Sequence, residues 1–184
     1  MIFMKKIALL LAIIIVTVLT SCSLGGGRMF SNDDEIIDER FQQIVDAIEN
    51  HDTDALISMF SKQSLMQVVD FEEQITSLFE FIQGDIDSWK RTGGPGVSEG
   101  KNDDGSGRVW KEMSATYNIQ TSTQKYHVSF KEITKDSQNF DKVGMSSLCI
   151  INAEDWHEEY NYWGDLGTLG INVDFNENDM PRKL

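Results

Sequence analysis

Apolar residues recur every three or four positions in the first half of the folded part of the chain, which is the spacing of one helix face. This pattern predicts a first amphipathic helix over residues 34–50, with acidic residues in its first turn. A second, short helix is predicted to start near Asp52, whose carboxylate is placed to cap free backbone N–H groups. A third is predicted to open at Asp70 and Glu73, which have capping-box spacing, and to end at Gly84.

The period changes to two in the second half of the chain. Apolar and polar residues alternate over 108–119, and the same alternation marks 126–130 and 143–151 as the following strands. Glycines, a proline and a polar run predict a long loop over 92–107. The segment after Glu154 is left unassigned. Helices followed by consecutive antiparallel strands predict an α+β fold.

Several short motifs resemble a known family. The order Asp52-Thr53-Asp54-Ala55-Leu56, then Met59-Phe60-Ser61, then residues 75–84 and long strands, resembles bacterial lipoproteins of the nuclear transport factor 2-like superfamily. It looks in particular like the family catalogued as domain of unknown function 5104, over roughly Asp33 to Ile151. The resemblance implies a cone, in which three N-terminal helices pack on a curved antiparallel sheet with a pocket at its open end. It implies no activity, because the superfamily includes enzymes, binding modules and oligomerisation scaffolds.

The N-terminus has the three zones of a bacterial lipoprotein signal. Lys5 and Lys6 form a basic start, Ile7–Leu19 is an apolar run without charged residues, and a small residue precedes Cys22. The run is shorter than the roughly 20 residues that a membrane-spanning helix needs. An ordinary secretory signal with a coincidental cysteine is the alternative. We therefore expect a signal peptide over 1–21, a lipidated flexible tether over 22–30, and a single α+β cone domain over 31–184.

This interpretation places the mature protein on the extracytoplasmic face of the bacterial cell membrane, held there by lipid on Cys22. Cleavage removes two lysines and no acid, so the net charge falls from -14 to -16. Such an acidic chain would be repelled by phosphates, so a nucleic acid partner is not expected. A solvated acidic surface explains the charge, and a cationic ligand or basic partner is the alternative.

Once Cys22 carries lipid, Cys149 is the only remaining cysteine, so no intramolecular disulfide is expected. Cys149 lies in an apolar, strand-like run without a nearby basic residue. A buried, unreactive thiol is therefore predicted rather than a nucleophile.

No metal or other cofactor is expected. His157 begins like a zinc-protease motif, but Asn161 stands where the second histidine ligand belongs. Glu154 and His157 have di-iron spacing without the further glutamates that such a site needs. The acidic stretches 102–105 and 174–178 resemble calcium loops, and neither completes the ligand pattern.

Catalytic residues are equally hard to assign, so a non-enzyme is favoured. His127 alternates opposite to the apolar residues of its strand and is predicted to face solvent, and Glu112 lies opposite Met113. Glu132 is the other acid on a predicted strand. Neither a Ser-His-Asp trio nor a phosphate loop with its lysine is present.

The sequence favours a membrane-anchored module that binds a small apolar or peptide-like ligand, or a protein. A possible pocket is predicted from strand alternation and from the aromatic segment that follows, lined by Met113, Tyr117, Phe130, Trp156 and His157. Two alternatives stay open: a cone-fold hydrolase or isomerase that uses His157, and a homodimeric scaffold whose exposed sheet face is the interface.

Overall fold

The computed structural model describes residues 32–102, 105–155 and 167–174. In these ranges four α-helices come first and five strands follow, with a short 3-10 helix between the third and fourth strands. The elements are α1 (Asp33–Glu49), α2 (Thr53–Met59), α3 (Lys62–Gln67), α4 (Phe71–Phe81), β1 (Ile86–Lys101), β2 (Val109–Thr121), β3 (Lys125–Asp136), the 3-10 helix (Phe140–Lys142), β4 (Gly144–Asn152) and β5 (Gly170–Val173). The α+β class is therefore confirmed.

Helix α1 has the amphipathic character that the sequence predicts. Its buried side chains recur at helical spacing along one face, and they are Ile37, Phe41, Ile44, Val45, Ala47 and Ile48. Three acidic residues occupy the first turn, where the helix dipole favours negative charge. The face of α1 that carries Phe41 packs toward β1 and β2.

The sequence predicted three helices, whereas the described residues form four. Helix α2 is capped as expected, because Asp52 accepts a hydrogen bond from the Ala55 N–H at 2.9 Å. Helix α3 was not predicted, and it begins where the Ser61 hydroxyl accepts from the Ser64 N–H at 3.1 Å. With only six residues, α3 is too short to show a helical period in the sequence.

The predicted capping box of α4 does not form. Asp70 has a left-handed backbone with φ of 59°, and its side chain makes no capping hydrogen bond. Aspartate tolerates this conformation better than most residues. The carboxylate of Asp70 is therefore available for other contacts, and the helix starts at Phe71 without it.

The sheet is mixed rather than purely antiparallel. Its strand order is β1-β2-β3-β4-β5, with antiparallel pairing from β1 to β4. Strand β5 pairs parallel to β4, with Leu148 opposite Ile171. The parallel strand comes from the segment whose structure the sequence left unassigned, so the antiparallel prediction is corrected at that edge.

The loop predicted over 92–107 is wrong for most of its length. Strand β1 continues to Lys101 and pairs with β2 throughout, with register shifts on both sides of Gly93. Pro95 cannot donate to a sheet ladder, and it is tolerated because β1 is the first strand in the sheet order and is irregular there. Glycine and proline here mark bulges instead of a loop.

The core lies between α1 and the inward faces of β2, β3 and β4. Met113, Ala115, Tyr117 and Ile119 of β2 are at most 1% exposed, as their alternation predicts. Cys149 on β4 is buried, which agrees with the prediction of a buried thiol. No helix of the described chain has the length and apolar character needed to cross a membrane.

Candidate functional site

The three predicted pocket residues on the strands lie together, inside the core. Met113, Tyr117 and Phe130 are at most 1% exposed. The Phe41 ring from α1 stacks on Tyr117 with 3.7 Å between ring centroids, and it lies 6.3 Å from the Phe130 ring. These rings fill the space between helix and sheet.

The other predicted site residues, which are Trp156, His157 and the predicted lipidation site Cys22, lie outside the described residues. The same is true of most of the acidic stretches 102–105 and 174–178. Among the side chains that the structure does describe, no group of three or more metal ligands converges. The pocket lined by Trp156 and its neighbours stays a prediction.

The hydroxyl of Tyr117 is held by a polar contact at the edge of the core. It donates to Asp38 Oδ1 at 2.8 Å, and Arg91 Nη1 lies 3.4 Å from the same oxygen. Burial, and then the bond to Asp38, raises the pKa of Tyr117 far above its ordinary value. The phenol therefore stays protonated and acts as a hydrogen-bond donor to α1.

Glu132 faces inward, but its carboxylate is already bound. Its side chain is 4% exposed, and its Oε2 lies 2.6 Å from Nε of Arg40 on α1. A buried carboxylate is stabilised by such a pairing. This contact makes Glu132 a link between β3 and α1.

His127 does not face solvent, so that prediction is wrong. The residue is 7% exposed although it lies on the outward face of β3. Its Nδ1 is 3.1 Å from Oδ1 of Asn118, its neighbour on β2. Burial, assisted by the charge of Lys125, lowers the pKa of His127 to about 4. The imidazole is therefore neutral at physiological pH.

We expect the buried His127 to make the protein sensitive to mild acid. In the unfolded chain His127 binds a proton below about pH 6.5, its ordinary pKa, whereas in the folded protein it binds one only below about pH 4. The contribution of His127 to the free energy of unfolding is therefore fully present above about pH 6.5, and it decreases as the pH falls from about 6.5 to about 4. Between about pH 7.5 and about pH 5, wild-type protein should lose about 2 kcal/mol more of its unfolding free energy than His127→Gln.

Urea denaturation of both proteins at the two pH values measures this difference. Comparing wild type with the variant removes the contribution of the many carboxylates, which both share. Equal losses in the two proteins would show that the imidazole is accessible to protons in the folded state.

Glu112 lies on the outward face of β2, as predicted. It is partly exposed and lies 3.2 Å from the Lys131 ammonium. Its position gives it no contact with the aromatic interior.

A groove of about 390 Å³ lies between helix α4 and strand β5. Its apolar residues are Val69, which is 76% exposed, and Ile171 and Val173 of β5. Its polar and acidic lining comes from α4 and the residue before it, and consists of Asp70, Glu73, Gln74 and Ser77. Neither Asp70 nor Glu73 forms an ion pair with any described side chain.

One wall of the groove is the free side of strand β5. The Asp174 N–H donates to Ile150 O of β4, so by strand alternation the backbone groups of Ile171 and Val173 point away from β4. The Ile171 N–H donates to Gln74 Oε1 at 2.8 Å. The groups left on this side, including the Val173 N–H, have no hydrogen-bond partner among the described residues.

Gly170 permits this close packing of helix and strand. Its φ is +91°, and an added Cβ would lie 2.5 Å from Gln74 Oε1. Glycine is thus required by both backbone conformation and space. The sequence analysis missed the groove because it left this strand unassigned, although the apolar pair Ile171 and Val173 has strand alternation.

The comparisons with known proteins give a family. A family model described as "Domain of unknown function (DUF5104)" matches residues 43–153. No curated protein matches the chain significantly.

Proposed function

We propose that this chain, which belongs to the family "Domain of unknown function (DUF5104)", is a lipid-anchored extracytoplasmic module that binds an extended, basic peptide in the groove between α4 and β5. The anchor is Cys22, and the domain after the tether is the binding part. The lipoprotein signal supports the anchor, and the geometry of the groove supports the ligand class.

The outer edge of β5, which pairs with no strand among the described residues, carries this proposal. Extended peptides bind exposed sheet edges through backbone hydrogen bonds, with side chains entering pockets beside the strand. Here the Val173 N–H faces such a ligand across the groove. Gln74 retains its two amide N–H donors for the same ligand, because only its Oε1 is used by Ile171.

The charge of the groove selects a basic peptide. Asp70 and Glu73 place two carboxylates on the rim, and the whole chain carries a net charge of -14. A lysine or arginine of the ligand can lay its aliphatic stem on Val69 while its charged end meets these carboxylates. The negative field of the protein also speeds the encounter with a cationic ligand.

Two inward-facing polar groups favour non-catalytic binding over hydrolysis or isomerisation, because each of them is already bound to another side chain. Glu132 is bound to Arg40, and the Tyr117 hydroxyl is bound to Asp38. These groups connect helix α1 to the sheet. A catalytic acid or base needs instead to reach the reacting atoms of a substrate.

We also propose that the domain is a cone of the nuclear transport factor 2-like type. Support comes from four helices that precede the sheet in the chain, and from the interior face of β2, β3 and β4 packed on α1. Register shifts in the β1–β2, β2–β3 and β3–β4 pairings are the kind of irregularity that bends strands. A crystal structure with a flat, open sheet would contradict the cone.

We expect Glu73→Lys to weaken peptide binding at least about tenfold, because it places a like charge beside the basic residue of the ligand. The measurement is fluorescence anisotropy of a labelled extended peptide of alternating valine and lysine, added to the full chain in detergent micelles. Glu72→Lys is the matched control, because Glu72 is an exposed acid on the same turn that does not line the groove.

Three results would count against the groove as the binding site. Equal weakening by both lysine substitutions indicates attraction to the overall charge alone. No binding by wild-type protein removes the peptide ligand. If the wild-type protein has the mass of a dimer and Glu73→Lys has the mass of a monomer, the groove binds a second copy of the chain instead of a peptide.

A further inference from the structure

Exposed apolar residues and lysines lie together on helix α3 and the neighbouring 3-10 helix. We call this surface the α3 patch, and its members are Lys62, Met66, Phe140, Lys142 and Val143. Phe140 is 76% exposed, Met66 is 65% exposed and Val143 is 37% exposed. Large apolar side chains at such exposure mark a contact surface when they are grouped.

The two helical segments of the patch are in direct contact. Nζ of Lys62 on α3 lies 3.3 Å from Oδ1 of Asp141 on the 3-10 helix. Lys62 and Met66 are four residues apart on α3, and therefore lie on one helix face. The same arrangement places Phe140 and Lys142 on either side of the ion-paired Asp141.

The patch lies at the end of the sheet where the chain enters the fold. Helix α3 meets the start of β4, where the Ser61 N–H donates to Met145 O at 2.9 Å. Asp33, the first residue of α1, contacts Lys111, which pairs with Lys135 near the end of β3. Both sites belong to what we call the Asp33 end of the sheet.

The two ends of the sheet differ in whether their acidic side chains form ion pairs. At the Asp33 end each described acid at the strand termini or on the 3-10 helix is paired with a base, through the pairs Asp33–Lys111, Glu99–Lys111, Asp136–Arg108 and Asp141–Lys62. The opposite end carries Glu49 and Asp85 around a shared cleft, and neither forms an ion pair with a described residue. These two carboxylates disfavour contact between that end and an anionic surface.

We infer that the Asp33 end lies against the bilayer, with Phe140 and Met66 entering the interface and Lys62 and Lys142 at the lipid headgroups. This inference rests on the proposed lipid anchor at Cys22. Ten residues separate Cys22 from Asp33, so the tether reaches roughly 35 Å at most. Within that distance the anchor gives even a weak patch a high effective concentration of lipid.

The α3 patch supplies a second membrane contact, which the lipid anchor alone does not provide. Lipid on one residue attaches the chain, and a second apolar or basic contact makes attachment stable and fixes an orientation. Lysines near an anionic surface each add a favourable interaction, whereas the acidic opposite end is kept away. The groove between α4 and β5 is then held at a defined height above the membrane.

The test uses the full lipidated chain in vesicles of phosphatidylglycerol and phosphatidylcholine. One variant carries an environment-sensitive fluorophore at Phe140→Cys, and its matched control carries the same label at Glu80→Cys, an exposed position near the end of α4. We expect a blue shift and quenching by brominated lipid at position 140, and neither at position 80. Adding Lys62→Glu and Lys142→Glu should abolish the quenching.

The outcomes separate the orientation from the anchor. If the protein sediments with vesicles but the label at 140 is not quenched, or both labels are quenched equally, the orientation is wrong and the anchor stands. If the wild-type protein does not sediment with vesicles, the lipid anchor is wrong and the inference fails with it. The same conclusion follows if the Cys22→Ala variant, produced in the same way, sediments as well as the wild-type protein.

Discussion

Phe41→Ala is expected to lower the free energy of unfolding by about 3–5 kcal/mol, the range for truncating a buried aromatic residue. Phe41 is fully buried, and its ring stacks on Tyr117 at 3.7 Å and meets the edge of Trp89 at 5.2 Å. Removing it leaves a cavity between α1 and the sheet that neighbouring rings cannot fill. Urea denaturation monitored by circular dichroism measures the change.

Phe140→Ala is the matched control for this prediction. It removes the same side chain from a position that is 76% exposed, so the expected change is within about 0.5 kcal/mol. Similar losses at both positions would mean that α1 does not pack on the sheet through Phe41.

Arg40→Met is expected to cost about 3 kcal/mol of unfolding free energy, because it leaves the Glu132 carboxylate buried without its partner. The carboxylate is 4% exposed, and the Arg40 Nε lies 2.6 Å from it. Replacing both residues, as Arg40→Met with Glu132→Met, should recover much of the loss. The same denaturation experiment, arranged as a double-mutant cycle, isolates the pair.

Lys62→Met provides the comparison for an exposed pair. Lys62 and Asp141 are 68% and 53% exposed, and such pairs contribute about 0–1 kcal/mol. If Arg40→Met costs no more than Lys62→Met, the Glu132 carboxylate is reached by water and does not connect β3 to α1 as the geometry indicates.

The local elements were predictable where one face of the element is apolar. Helix α1 and strand β2 bury one side each, and burial imposes a period on the sequence that alternation analysis detects. The cap of α2 was predictable for a similar reason, since Asp52 bonds a backbone group only three residues away. Local spacing is not always enough, because the capping box predicted at Asp70 and Glu73 does not form.

The failures occur where partners distant in sequence override the local signal. Residues 92–101 are rich in glycine and read as a loop, yet pairing with β2 makes them a strand. His127 occupies a position that alternation assigns to solvent, and the assembled sheet buries it. Alternation identifies the face of a strand but does not show whether that face is covered.

The candidate site follows the same division. The sequence gives an acidic chain, predicts a lipid anchor and places Met113, Tyr117 and Phe130 on the inward face of their strands. Only the tertiary structure shows that Phe41 fills the space between them, and that α4 and β5, 97 residues apart at Gln74 and Ile171, form a groove.

By itself, the sequence determined the α+β class, the apolar face of helix α1 and the Asp52 cap of α2, because each is recorded in the pattern of residues along the chain. The tertiary structure decided the parallel direction of β5, the length of β1, the burial of His127 and the groove beside α4. Each of these depends on which distant segments meet, and a period of two or 3.6 residues carries no information about that choice.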